Sequence, residues 1–180
     1  MADPLVRTIA VVRMSDPALA LSHSERVAYG RSRDPQAIRE LPGQRAVRFI
    51  VRPLHHVDMG AVERATPGVE QIVRAFWLGC VEIQDCDEMG PRVGVRMVPS
   101  MRIPGRDLPA WADDEINAVQ EALGRSALYE IGTVIYERTL RGKAAGGSVP
   151  YTVPQSSLDE LASMAAHLRA EQTSAAPAAT

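Results

Sequence analysis

The sequence predicts an α+β fold: a small antiparallel or mixed sheet with packed helices, followed by an extended C-terminal arm and a terminal helix. Short β-branched segments of alternating polarity occur among longer segments whose apolar residues recur every three or four positions. The length of 180 residues fits one domain with tails, and the hydrophobic fraction of 46% is sufficient for a core. Because aromatic residues make up only 4% of the chain, we expect this core to be mainly aliphatic.

Two segments in the first third of the chain have the composition of strands. Residues 5–14 (LVRTIAVVRM) are rich in β-branched residues and are followed by an Asp-Pro pair. In residues 45–52 (RAVRFIVR), apolar side chains alternate with Arg48 and Arg52, which we expect on the opposite face of the strand. The face predicted to be buried consists of Val47, Phe49 and Val51.

The segment between these strands contains one ambiguous region and one clear helix start. Residues 24–31 form either a helical turn or a loop. Asp34 is a good N-cap and Pro35 suits the first helical position, so a short helix is predicted to run from there to Leu41.

Two helices are predicted after the second strand. The first is short and covers residues 56–65. The second begins with Thr66 as its cap and Pro67 at its first position. Its core-facing stripe, spaced at the period of a helix, consists of Val69, Ile72, Val73, Phe76 and Cys80.

The middle and later parts of the chain predict a hairpin and a helical corner. Residues 81–84 and 92–98 are β-like and flank an acidic turn, after which three prolines make an irregular connection. Two helices follow at 110–123 and 125–141, and the single Gly124 between them implies a tight corner.

The chain is predicted to divide into a core domain and a C-terminal part. The core covers residues 1–142, of which 1–44 are an N-terminal strand and loop extension. Residues 143–180 hold a flexible glycine-rich link, an extended arm at 148–155 that two prolines keep out of a helix, an amphipathic helix at 158–171, and a low-complexity tail. The residues predicted to contact a partner are Val149, Tyr151, Val153, Leu158, Leu161 and Leu168.

No motif in the sequence predicts a metal, cofactor or catalytic site. His55, His56 and Asp58 resemble part of a metal site, but adjacent histidines on a strand point to opposite faces, so we interpret them as a surface turn. The acidic segment that starts at Asp85 has Met89 where a calcium loop requires an oxygen ligand. Cys80 and Cys86 are too far apart for a Cys-x-x-Cys redox pair, and we interpret Cys80 as a small core residue.

Charge and hydropathy further narrow the function classes. The net charge is −2, and no apolar run reaches the length of a membrane span. The N-terminus lacks the pattern of a signal peptide, which predicts synthesis in the cytoplasm. Residues 1–64 carry about +3 and residues 65–180 about −5, a distribution that either supports head-to-tail contact between copies or is random scatter. The arginines between residues 26 and 39 alternate with acids, so nucleic-acid contact is not expected.

Two parts of the chain resemble small proteins encoded in the structural gene blocks of tailed bacteriophages, of the tail-assembly-chaperone or minor virion type. One is a strand that ends in Val-Arg-Pro-Leu and opens a helical unit (RAVRFIVRPL, 45–54). The other is the helix SALYEIGTVIYER (126–138), followed by a proline-bearing extended segment. The resemblance covers about residues 45–155 and implies a non-catalytic role in the virion or its assembly, for a protein made in the host bacterial cytoplasm. The N-terminal extension departs from the chaperone type, and no functional residue is carried over.

The sequence thus predicts a non-catalytic virion structural or virion-assembly protein, as a tail or capsid accessory. Its predicted partners are copies of itself, as an oligomer, and other virion proteins, with no membrane and no cofactor. An alternative is a bacterial cytoplasmic adaptor that binds a peptide or a small molecule. A further alternative is an enzyme that uses a carboxylate such as Asp58, Glu82 or Asp87 in a polar pocket.

Overall fold

The computed structural model describes residues 8–104 and 108–145. Their strands form one antiparallel sheet in the order β1-β2-β3-β4, which confirms the predicted α+β class and its small antiparallel sheet. The strands are β1 Ile9–Val12, β2 Arg48–Val51, β3 Cys80–Asp87 and β4 Gly90–Met97. Contacts divide the chain into two units, Met1–Lys143 and Ala144–Thr180. The predicted arm, the terminal helix and the six predicted contact residues lie outside the described residues.

Four α-helices accompany the sheet within the described residues. They are α1 His23–Ser32, α2 His56–Glu63, α3 Val69–Gly79 and α4 Asp113–Ala145. Helix α4 contains one residue with non-helical torsions, Gly124 (φ 73°, ψ 160°), which is the predicted corner between two helices. This left-handed φ is accessible to glycine at no steric cost, so the corner depends on that residue.

The ambiguous segment before β2 is helical because it carries a complete capping box. The Ser22 backbone N–H donates to the Glu25 carboxylate at 2.8 Å, and the Ser22 hydroxyl oxygen accepts from the Glu25 N–H at 3.4 Å. The helix predicted from Asp34 is wrong in its length, because only a 3₁₀ turn, Pro35–Ala37, forms there. Ile38 is already extended, and the chain then pairs Glu40 with Leu19 in a β-bridge.

The predicted cap of α3 is also wrong. The helix begins at Val69, and its N-cap is Gly68 with φ 102°, not Thr66. Glycine adopts this positive φ without steric cost, so the chain changes direction at Gly68 and the helix begins after the Thr-Pro pair. At its other end the helix stops at Gly79, so Cys80 is the first residue of β3 and not part of the helical stripe.

The buried residues form two clusters on opposite faces of β1. Val11 belongs to the main cluster with β2, β3, α3 and α4, whereas Val12 belongs to a smaller cluster with Tyr29 of α1. Helices α3 and α4 approach so closely that Gly132 of α4 lies against the Ile72 backbone. The N-terminal segment predicted as an extension therefore contributes an integral strand of the sheet.

Candidate interaction surface

The buried charged pair Arg52–Asp58 replaces the surface turn predicted at this point. An Arg52 guanidinium nitrogen donates to Asp58 Oδ2 at 2.8 Å and to the Leu78 carbonyl oxygen at 3.0 Å. The side chains are 9% and 7% exposed. The prediction that Asp58 lies in a surface turn is wrong, because Asp58 belongs to α2 and is buried as the counter-ion of Arg52. The pair joins β2, α2 and α3 and is already engaged within the fold.

The two histidines beside this pair lie at the exposed start of α2. His55 is the N-cap of α2 and His56 its first residue, and their ring centroids are 3.9 Å apart. They do not lie on a strand, so the alternation expected of them does not apply. Among the described residues no group of three His, Cys, Asp or Glu side chains is placed to hold a metal ion.

Both cysteines are buried free thiols on β3. Burial raises the pKa of the Cys80 thiol well above its usual range and raises the pKa of Cys86 to about 11. Because the thiolate is the reactive form, neither side chain is arranged as a nucleophile. Cys80 is a small core residue, as predicted, although it reaches the core from a strand.

The remaining candidate carboxylates are engaged by arginines across the β3–β4 hairpin. Arg96 binds Glu82 through two nitrogens at 2.7 and 2.6 Å, and Arg92 binds Asp87 at 2.8 Å. Hydrogen bonds from these guanidinium groups lower the pKa of Glu82 and of Asp87. Both carboxylates therefore stay ionised and accept hydrogen bonds, whereas a carboxyl group that acts as a general acid has a raised pKa.

The arginines of the first half also serve the fold. Arg26 donates to four backbone carbonyl oxygens between Met14 and Leu21, and Arg39 forms an ion pair with Glu25. Arg33 donates to Glu130 of α4 at 3.1 Å. These side chains connect α1 to the neighbouring segments and to α4.

The outer edge of β1 is closed at Val12 by a buried tyrosine. The Tyr29 hydroxyl accepts from the Val12 N–H at 2.9 Å and donates to the Val12 carbonyl oxygen, as does Arg33 at 3.2 Å. Both peptide groups of Val12 are therefore satisfied by side chains. This edge is covered in the way that proteins protect a terminal strand from further pairing.

The opposite edge of the sheet, β4, has a strand on one side only among the described residues. The ladder is interrupted by a bulge: Cys86 pairs with Pro91 and Gln84 with Arg96, so residues 92–95 face Asp85 alone. Asp85 has φ 58°, and its carboxylate accepts from the Gly94 N–H at 2.8 Å. The bulge is thus held in place by a specific side chain and displays its residues away from the core.

Exposed apolar side chains are concentrated on this hairpin and the connection after it. Of the nine large hydrophobic residues that are exposed in the described part of the chain, five fall between residues 89 and 108. Met89 at the turn is 83% exposed and Val93 in the bulge is 63% exposed. We call these five residues the β4 surface: Met89, Val93, Val98, Met101 and Leu108. These residues are near one another in the sequence, and exposed apolar groups are a common component of protein-binding surfaces.

A concave feature of the surface lies beside α1. It is an open groove of about 360 Å³ between α1 and the 3₁₀ turn, with Ala28, Tyr29 and Ala37 among its lining residues. The Glu25–Arg39 ion pair lies at this groove. Its size suits a small ligand or a side chain of a peptide.

Comparison with protein families, with characterised proteins and with solved structures finds no match to this chain. No helix within the described residues is both long and apolar enough to span a membrane.

The hairpin is predictable from the sequence, but its exposed apolar side chains are not. Met89 lies in a turn, where polar residues are usual, and Val93 follows Arg92, whose side chain is 65% exposed. An apolar residue in such a turn is the signal that indicates an exposed contact. The bulge that exposes Val93 depends on the positive φ of Asp85, which the sequence pattern does not reveal.

Proposed function

We propose that this chain is a non-catalytic structural or assembly protein of a tailed-bacteriophage virion, and that it acts through contacts between protein subunits. The observation that carries the proposal is the β4 surface, where apolar side chains are exposed next to a sheet edge that no described strand pairs. Such a surface loses unfavourable hydration when a protein partner covers it.

The state of the reactive groups supports a non-catalytic role. Asp58, Glu82 and Asp87 each form an ion pair with an arginine, and the two thiols are buried. These side chains connect elements of the fold instead of converging on a cleft. The resemblance of residues 45–155 to phage structural proteins directs the proposal to a virion.

A pair of substitutions tests the proposal by the mass of the protein in solution. Val93→Asp places a charge in the β4 surface, while Val57→Asp places the same charge on α2 at a residue of equal exposure, 64% against 63%. We expect the unaltered protein and Val57→Asp to form a defined oligomer in light scattering and Val93→Asp to dissociate. An unaltered protein that stays monomeric at high concentration would argue against self-assembly.

The groove beside α1 favours a second candidate, an adaptor that binds a peptide or a small molecule. Its lining combines apolar side chains with Asp34 and Gln36, which could orient a polar ligand. Capsid and tail genes beside the gene for this chain would favour the virion role, and their absence would favour the adaptor.

A further inference from the structure

We propose that the groove between α1 and the 3₁₀ turn binds a lysine or arginine side chain that projects from an extended peptide segment of a partner protein. The inference rests on the second candidate function, the adaptor, for which it names the ligand, and it does not involve the β4 surface. It combines the shape of the groove with the charges of its lining residues.

The groove exists because small residues line both of its walls. Helix α1 contributes four residues that are spaced by three or four positions and therefore share one face of the helix: Glu25, Ala28, Tyr29 and Ser32. The other wall is formed by residues 34–39, among which Ala37 lines the groove. Because Ala28 and Ala37 have no side-chain atom beyond Cβ, a space of about 360 Å³ remains between the walls.

The openness of this space favours a side chain of a peptide over a free small molecule. Most of the lining residues are exposed, including Ala28 and Ser32 of α1 and Gln36 of the turn. Sites for small molecules usually bury about 70–90% of the ligand surface, which an open groove does not do. A peptide segment meets this condition better, because the residues on either side of the inserted side chain add further contacts.

The charges of the lining residues select a cation. Glu25 and Arg39 neutralise each other in an ion pair, whereas Asp34 takes part in no ion pair of the described residues. One Asp34 carboxylate oxygen accepts from the Gln36 N–H at 2.9 Å, and the other has no hydrogen-bond partner within the described part of the chain. The lining therefore has one unpaired negative charge, which an ammonium or guanidinium group can bind.

The apolar part of the lining fits the stem of such a side chain. The methylene groups of lysine and arginine pack on apolar surface while the charged head stays in water. Leu21, Ala28 and Ala37 provide apolar surface, and the exposed Asp34 provides the counter-charge. An acidic side chain in the same place would bring a further carboxylate close to Asp34, which is unfavourable.

Titration of the full chain with three dye-labelled peptides, followed by fluorescence anisotropy, tests the inference. The peptides are Ala-Leu-X-Leu-Ala, in which X is lysine, norleucine or glutamate; norleucine keeps an apolar stem without the charge. We expect the lysine peptide to bind about two- to fivefold more tightly than the norleucine peptide, as for an exposed ion pair. The glutamate peptide should bind most weakly of the three.

Two substitutions locate the contact. Asp34→Asn removes the charge but keeps the cap of the turn, because Asn caps as well as Asp does. Asp114→Asn is the matched control, since Asp114 is an exposed acid of α4 that does not line the groove. We expect Asp34→Asn to remove the preference for lysine over norleucine and Asp114→Asn to keep it. Ala28→Leu, at an exposed residue, should fill the groove and weaken binding of the lysine peptide at least about tenfold.

The contrary outcomes separate the inference from the functions proposed above. Equal affinities for the lysine and norleucine peptides, or equal effects of Asp34→Asn and Asp114→Asn, would overturn the cation site and leave the adaptor function in place. If none of the peptides binds, the adaptor function fails as well. The assembly role is tested separately by the mass of Val93→Asp.

Discussion

The crossing of α3 and α4 depends on Gly132, and substitution of this residue tests the packing of the core. A Cβ atom at residue 132 would overlap the Ile72 carbonyl oxygen and would lie 3.0 Å from Ile72 Cγ2. The oxygen belongs to helix backbone, so relief of the overlap requires α3 and α4 to move apart. Introducing atoms into a filled contact of this kind costs about 1–3 kcal/mol.

Gly142→Ala is the matched control, because Gly142 lies in the same helix and its added Cβ would meet no atom within 4 Å. Alanine is favoured over glycine in a helix by up to about 1 kcal/mol. Both variants have this gain in their helix, so the difference between their free energies of unfolding isolates the overlap at Ile72.

The assay uses circular dichroism to monitor thermal and urea unfolding of the unaltered protein, Gly132→Ala and Gly142→Ala. We expect the free energy of unfolding of Gly132→Ala to be about 1–3 kcal/mol lower than that of Gly142→Ala. For a chain of this size that difference lowers the melting temperature by roughly 2–12 °C. A Gly132→Ala variant as stable as Gly142→Ala would refute the close approach of the two helices.

Three further predictions concern side chains that hold the fold. Tyr29→Phe leaves the buried Val12 N–H without a partner, while the Val12 carbonyl oxygen keeps its bond from Arg33, and should lower the free energy of unfolding by about 1–3 kcal/mol in urea titration. Because the pKa of Glu82 is lowered in the folded state, its contribution to stability is present above pH 4.5 and is lost as pH falls below; Glu82→Gln should weaken that acid dependence. Cys80 and Cys86 should react with a thiol reagent at pH 8 only after unfolding.

The local patterns of the sequence were sufficient for the strands and most helices. Alternation located β2 and its buried face, Val47, Phe49 and Val51, and Gly124 marked the corner in α4. The capping box at Ser22 was present in the sequence as Ser-x-x-Glu and would have resolved the segment before β2 in favour of a helix.

The sequence does not predict the burial and hydrogen bonding of side chains whose partners lie far away along the chain. Arg52 is buried because Asp58 and the Leu78 carbonyl oxygen meet it in three dimensions. The Glu130 carboxylate of α4 accepts hydrogen bonds from the Met14 N–H and from Arg33, which lie about a hundred residues earlier in the chain. The β4 surface likewise depends on a bulge whose backbone torsions have no signature in local composition.

The most direct test of assembly through subunit contacts is the mass in solution of two purified proteins, the unaltered chain and Val93→Asp. Light scattering over a range of concentrations should show a defined oligomer for the unaltered chain and a 19.5 kDa monomer for Val93→Asp. Oligomers of equal mass for the two proteins would contradict the account, because subunit contacts would then not require the β4 surface.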